Sequence, residues 1–337
     1  MRTFDRAVAK LDDVTSRVLR EIIIPGMSGP RDQSGGAAKA TVRNPAVAGM
    51  FYPANAAECR QATAQLFAAA GPSMAQDVFQ LGPVAGLGAI VPHAGWICSG
   101  AIAAEAIGAL ARQRPRVAVV VVFGAIHTAI QIDRGVFDSH ARWAVPGGES
   151  AVTIPLRQEL AGGSGLFVTD DRFHQREHAV EVELPLIQFA WPDAKILPVE
   201  VPPEPSAAEI GESVARAVAA AGLSAVYLAS SDLTHYGPNY RFTPAGIGEV
   251  GLAWAMENDR RLLRVVTDMT PEKIVPEVRS RYNACGAGAI AAMMAACQDR
   301  GAKRAVVLRH TNSYQTLAAV SPQSPDNAVG YAAVWVG

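Results

Sequence analysis

The chain has four cysteines in 337 residues, none spaced as CxxC, too few and too scattered for a disulfide framework or a zinc ribbon. Basic blocks are missing as well. Thirty Lys and Arg residues balance 31 Asp and Glu for a formal charge of -1, and their even scatter gives no support to nucleic-acid binding. The longest apolar run, Val117 to Ile126, falls far short of the roughly 20 residues that a membrane helix needs, so no membrane span is expected. GxGxxG after a strand, GxxxxGK[ST], HExxH and GxSxG do not occur, which removes local support for phosphate-cradle, zincin and serine-hydrolase readings. Any site has to be assembled from dispersed residues.

What is present is core material. Hydrophobic residues make up 50% and charged residues 18% of the chain, a globular composition. Asp5, Asp12, Asp13 and Glu21 argue against a secretory or transit sequence in the first 24 residues, which read as an amphipathic helix. With the unpaired thiols this favours a reducing cytoplasm. Pro25 to Ala40, rich in Gly, Pro and Ser, reads as a linker. The expected organisation is therefore an N-terminal helix and flexible linker over 1–40 and one domain over 41–337.

In that domain apolar strand-like runs alternate with Ala-rich helical ones: GLGAIVPH, VAVVVVFGAIH and LSAVYLASSD against SGAIAAEAIGALA, AAEIGESVARAVAAAG and ACGAGAIAAMMAACQDRG. KRAVVLRHTNSY and NAVGYAAVWVG read as closing strands. This is the pattern of an α/β sandwich, a central sheet flanked by helices.

Three strands finish alike. AIV runs into His93, VVVVFGAI into His127, and AVYLASS into Asp232, with His235 three residues on. Ligands in open α/β sheets bind outside the carboxyl ends of the strands, so these ends are expected to share one cleft. A lone histidine after a strand more often caps or packs, and His140, His174 and His310 are read that way. Cys285, in RYNACGAGAIAAMM, is placed near the first turn of a helix that Asn283 could cap, where the dipole favours thiolate; the competing reading is a small buried residue. Cys297 and Cys59 read as structural. Two imidazoles and a thiolate suit Zn, Cu or Fe(II) better than Mg or Ca, with a fourth position open and Asp232 and His235 free to orient a ligand or move its proton. In FHQREHAVEVELPLIQFA, His178 and Glu181 have the spacing of one helical face, Glu177 is adjacent, and Pro185 interrupts the pattern. Glu177, Glu181 and Glu183 are ordinarily a solvated face; a carboxylate and imidazole set against a metal pocket is the sharper alternative.

Taken in order, RNPAVAGMFYP, VPHAGWICSG, FGAIH, EHAVEVELP, SSDLTHYG and NACGAGAI resemble blocks of the Memo-like family, the B component of the AmmeMemoRadiSam system. The resemblance implies a fold similar to LigB-type class III extradiol dioxygenases. It also implies metal ligation by the residues matching His93, His127 and Cys285, with Asp232 and His235 matching the family's SSDxxH block. Iron is the first expectation for the metal, with copper or zinc as competitors. A radical SAM protein and an AMMECR-type domain are the implied partners. Departures occur at Val47 and Thr128, where eukaryotic members carry histidine, and at Trp96 and Cys98, the latter read as pocket wall. Three functions stay open on the sequence: redox or oxygen-dependent chemistry at a centre of two histidines and one cysteine, with His178 among the proton-handling groups; a non-catalytic module that binds a peptide or protein; or hydrolysis by a metal-bound water at a three-ligand zinc site.

Overall fold

The structure, a computed structural model, describes residues 41–81, 84–318 and 322–337. The helix and linker expected over 1–40 lie outside the described residues.

The chain runs through β1 (Val42–Arg43), α1 (Ala56–Leu81), β2 (Gly88–Val91), α2 (Trp96–Gln113) and β3 (Val119–Ala125). Next come β4 (Gly135–Phe137), β5 (Arg142–Val145), β6 (Gly148–Ala151), α3 (Ile154–Gly162) and β7 (Phe167–Thr169). An irregular stretch leads to α4 (Leu184–Ala190), β8 (Lys195–Val201), α5 (Ala207–Ala220), β9 (Ala225–Ser230) and β10 (His235–Tyr236). The chain closes with α6 (Glu249–Thr267), α7 (Pro271–Arg281), α8 (Ala287–Asp299), β11 (Ala305–Asn312), α9 (Ser313–Ala318) and β12 (Ala328–Val336).

Nine strands form one mixed sheet in the order β10-β12-β2-β9-β3-β8-β4-β7, with β11 also on β12. Its centre is parallel: β2 pairs with β9, β9 with β3 and β3 with β8. β12 on one side and β4 on the other join antiparallel. A small second sheet joins β1, β5 and β6.

β3, sequence VVVVFGA, is buried at every position, as expected of a strand covered on both faces. The period of two sorts its side chains into two cores. Val119, Val121 and Phe123 pack with α5, α7 and α8 residues such as Val214, Ile274 and Met293. Val120 and Val122 pack with Ile102, Ile107 and Leu110 of α2 and with Leu186 and Ile187 of α4. Helix α5 can lie backbone-close on α8 because residue 211 is glycine; a Cβ there would sit 1.9 Å from the Ala292 carbonyl oxygen. The expected α/β sandwich is thus observed.

Candidate metal centre

Register decides what meets at the carboxyl edge. Val91 of β2 lies opposite Ser230 of β9, and Phe123 of β3 opposite Ala229, so the three strands end together on one side of the sheet. His93, His127 and Asp232 each follow within a few residues of those ends and are carried into one crevice.

His93 is buried, and both ring nitrogens are engaged. Its Nδ1 is 2.9 Å from Ser230 Oγ, while that hydroxyl donates to the Ala179 carbonyl at 2.5 Å. A hydroxyl that has spent its proton can only accept, so His93 carries its proton on Nδ1 and leaves the Nε2 lone pair free. Nε2 stands 3.2 Å from Cys285 Sγ. Burial, with His178 and His127 adding to it, pushes the His93 pKa well down, which keeps the ring a neutral lone-pair donor.

His127 is oriented the same way by a charge. Glu177 accepts the His127 Nδ1–H at 2.8 Å and its backbone N–H at 2.9 Å, which leaves Nε2 as the ring nitrogen turned toward Cys285. Burial alone lowers its pKa, but the Cys285 sulfur and the Glu177 carboxylate hydrogen-bonded to it reverse the balance and raise it well above the usual value. The spot attracts positive charge. Glu177, although buried, is held well below the usual carboxylate range by His127 and His178 and by the Ala179 N–H, which donates to Oε1 at 3.0 Å.

His178 completes a triangle. Its ring is 4.6 Å from that of His127, nearly parallel to it, and 5.1 Å edge-on from that of His93. One ligand-type nitrogen from each of the three rings falls within 4.8 Å of the others. Burial, with the neighbouring His127 ring adding to it, holds the His178 pKa down at about 4.

Cys285 reaches the cluster from the far end of the sequence. Helix α7 ends at Tyr282, whose φ of 55° is left-handed and whose N–H closes on the Val278 carbonyl at 2.7 Å. Ala284 then bridges to Leu233, the Cys285 N–H donates to the Asp232 carbonyl at 3.2 Å, and the Gly286 N–H donates to Ser231 Oγ at 2.9 Å. A Cβ on residue 286 would lie 2.7 Å from Ser231 Cβ, so this close seam needs the glycine. The seam, not a helix cap, positions the thiol. Asn283 does not cap α8: its Nδ2 donates to the Asn258 carbonyl and to Glu277 Oε1, and the cap position is Gly286.

Asp232 and His235 line the other side. Asp232 Oδ1 accepts the His93 backbone N–H at 2.9 Å, and burial lifts its pKa to about 7 against that stabilisation. His235 donates Nδ1–H to the Leu233 carbonyl at 3.0 Å and packs edge-on against Tyr240, and burial drops its pKa to about 4. Cys98, raised to about 11 by burial, is hydrogen-bonded to Tyr331 and lies within electrostatic reach of Asp232, consistent with a wall position.

Two expectations for the EHAVEVELP block need correction. His178 and Glu181 do not share a helix face: Glu177 and His178 lie in irregular chain, Glu181–Glu183 form a single 3-10 turn, and Pro185 sits in the first turn of α4, where a missing N–H costs nothing. Nor is the block a solvated acidic face. Glu177, Glu181 and Glu183 are all buried. Glu181 takes hydrogen bonds from Arg43, the N–H groups of Ala46 and Val47, and Tyr52. Glu183 and Glu200 find no hydrogen-bond partner among the described residues, and burial pushes the pKa of both well above the usual carboxylate range, with His174 Nδ1 3.7 Å from Glu200 Oε1. Ser230 was missed from sequence, although its place as the last residue of a buried strand beside a histidine-bearing one is the signal that finds it.

The histidines set aside as packing residues do pack: His140 pairs with Asp138, His174 bonds the Val136 carbonyl, and His310 pairs with Asp259. Cys59 and Cys297 are buried in the two cores.

A mixed α/β domain with histidines and a cysteine gathered at its strand ends is the class that fold and site define. Residues 43–335 match the Memo-like protein family, and the chain belongs to it. A MEMO1 family protein of Methanococcoides burtonii is 34% identical over 303 residues, covering 88% of this chain and all of the relative. Similar proteins are found in Methanosarcina acetivorans, 33% identical with 88% of this chain and 99% of the relative covered, and in Pyrococcus horikoshii, 29% identical with 87% and 98% covered. No helix among the described residues is long and apolar enough to cross a membrane.

Proposed function

We propose that this protein binds a redox-active first-row transition metal through His93 Nε2, His127 Nε2 and Cys285 Sγ and uses it for redox or oxygen-dependent chemistry. The observation that carries the reading is the shared orientation of the donors. Both Nδ1 atoms are committed to a partner behind the ring, and the freed His93 Nε2 faces Sγ at 3.2 Å. Such outer partners fix tautomer and direction in metal-binding histidines. The mixture of imidazole and thiolate suits iron(II), with copper as competitor and zinc third. It differs from the two-histidine, one-carboxylate triad, so catechol ring cleavage is the nearest enzymatic alternative and not the first assignment.

When bound, the metal supplies a redox couple and a position where a substrate oxygen is polarised. The chain does the rest. Asp232, its pKa lifted to about 7 by burial, exchanges a proton with a ligand in the crevice, and neutral His235 offers Nε2 as acceptor. Burial of His93 and Asp232 excludes water from one side. The family resemblance supports a radical SAM protein and an AMMECR-type domain as partners, and a reducing cytoplasm suits a thiolate centre.

A peptide-binding module without catalysis is favoured by one feature. Met50 and Ile97, each 52% exposed, flank the Phe51–Trp96 backbone contact beside the Phe51 ring that packs at a tilt against His178. Metal analysis of protein purified anaerobically without added metal separates these readings from a site that holds no metal. Stoichiometric Fe or Cu in the wild type and its loss in His93→Ala and Cys285→Ser are expected; retention in both variants removes the metal site. Metal bound with catechols, dioxygen and peroxide all left unconsumed supports the binding module.

A further inference from the structure

Three imidazoles converge at the carboxyl edge, but only two are anchored. Nδ1 of His93 is tied to Ser230 and Nδ1 of His127 to Glu177. The His178 ring makes no hydrogen bond among the described residues; its Nδ1 stands 3.4 Å from Glu177 Oε1, an oxygen already taken by His127 at 2.8 Å. Ring contacts hold it instead: it stacks on His127 with centroids 4.6 Å apart and meets the Phe51 ring at 4.8 Å and a tilt of 46°. Stacking fixes the plane of a ring less tightly than a hydrogen bond fixes the direction of a nitrogen. Even so, its ligand-type nitrogen lies within 4.8 Å of those of His93 and His127. Among ligands of one metal, the one held most weakly by an outer partner is the first to leave.

We propose that His178 is an exchangeable fourth protein ligand, joining His93, His127 and Cys285 in the resting site and swinging aside when a substrate takes its position. The inference rests on the metal-site reading above. Three imidazoles and a thiolate make a closed four-coordinate set, whereas departure of His178 opens one position, the arrangement that separates structural from catalytic sites. The side chain thereby shields the metal from water until a better ligand arrives. Phe51 supplies the apolar surface on which the released ring rests.

Cobalt(II) added to metal-free protein tests this, because its spectrum reports both the thiolate and the coordination number. The wild type is expected to take up one cobalt with a thiolate charge-transfer band and the intense visible bands of a four-coordinate ion. His178→Ala and His178→Gln are expected to keep the cobalt and the thiolate band but to lose visible intensity as water enters. Azide should then perturb the spectrum at roughly tenfold lower concentration than in the wild type, the factor expected if His178 holds its position about nine-tenths of the time. His178→Gln, which keeps a polar side chain of similar reach, guards against misfolding of His178→Ala, with circular dichroism as the check. Visible bands and azide response equal to wild type in both variants overturn the proposal and leave the parent reading intact, and loss of cobalt in both shows an obligatory ligand and overturns it too. Failure of the wild type to bind cobalt, or a thiolate band surviving in Cys285→Ser, overturns the parent reading itself.

Discussion

Residues 230–235 and residues 177–183 both deliver polar side chains to the crevice, yet they are held there by different forces. The first segment continues β9, whose pairing with β2 places Ser230 beside Val91 and leaves Asp232 at the His93 N–H. Backbone hydrogen bonds fix it. The second has a single 3-10 turn and no strand. It is pinned by buried charge: Arg43 donates to Glu181 Oε2 at 2.7 Å, to the Glu177 carbonyl at 2.6 Å and to the His174 carbonyl at 2.9 Å, while its guanidinium lies 4.1 Å from the Trp143 ring centroid. A segment held by side chains depends on every one of them. One held by strand register survives the loss of any single side chain.

Glu181→Ala leaves the Arg43 cation buried with only carbonyl acceptors, and a loss of about 3–5 kcal/mol is expected in urea unfolding. A loss below about 1 kcal/mol, the range of an exposed pair, would show that buried charge does not hold the segment.

The two backing groups differ in the same sense. Glu177→Gln keeps the shape but removes the charge behind His127, whereas Ser230→Ala removes a neutral relay behind His93. Both are expected to weaken metal binding in competition titrations, about 10–100-fold, with Glu177→Gln at the upper end and Ser230→Ala at the lower. The reverse order would mean that the position of His93, not the charge behind His127, limits affinity.

The smallest effect concerns pH. Burial holds the folded His235 pKa at about 4 against 6.5 for the free side chain, so between those values the unfolded chain binds more protons and stability rises with pH. In metal-free protein, His235→Asn should flatten that rise between about pH 4 and pH 6.5. Parallel stability curves for the variant and the wild type would place His235 in solvent.

Legibility in the sequence follows the same division. The all-valine run of β3 and the alternation of strands with Ala-rich helices need no tertiary knowledge, because a strand buried on both faces must be apolar throughout. His93, His127 and Asp232 are legible as strand-end residues for that reason. Glu177, Glu181 and Glu183 are not, since a glutamate sequence looks the same whether it faces water or Arg43, and Arg43 is more than 130 residues away. Asn283 illustrates the converse: a good cap by type and position, it is taken up by Asn258 and Glu277 instead.

Fold class, family and the strand ends at which histidines gather follow from the residues read in order, because hydrophobic periodicity and short blocks in fixed order are local properties. Only the folded chain sets which ring nitrogen of His93 and His127 is tied to a backing partner, that three acidic side chains are buried, and that Cys285 lies against His93 from 192 positions away. Those outcomes depend on hydrogen-bond direction and on desolvation, and both are set by neighbours that the linear chain does not bring together.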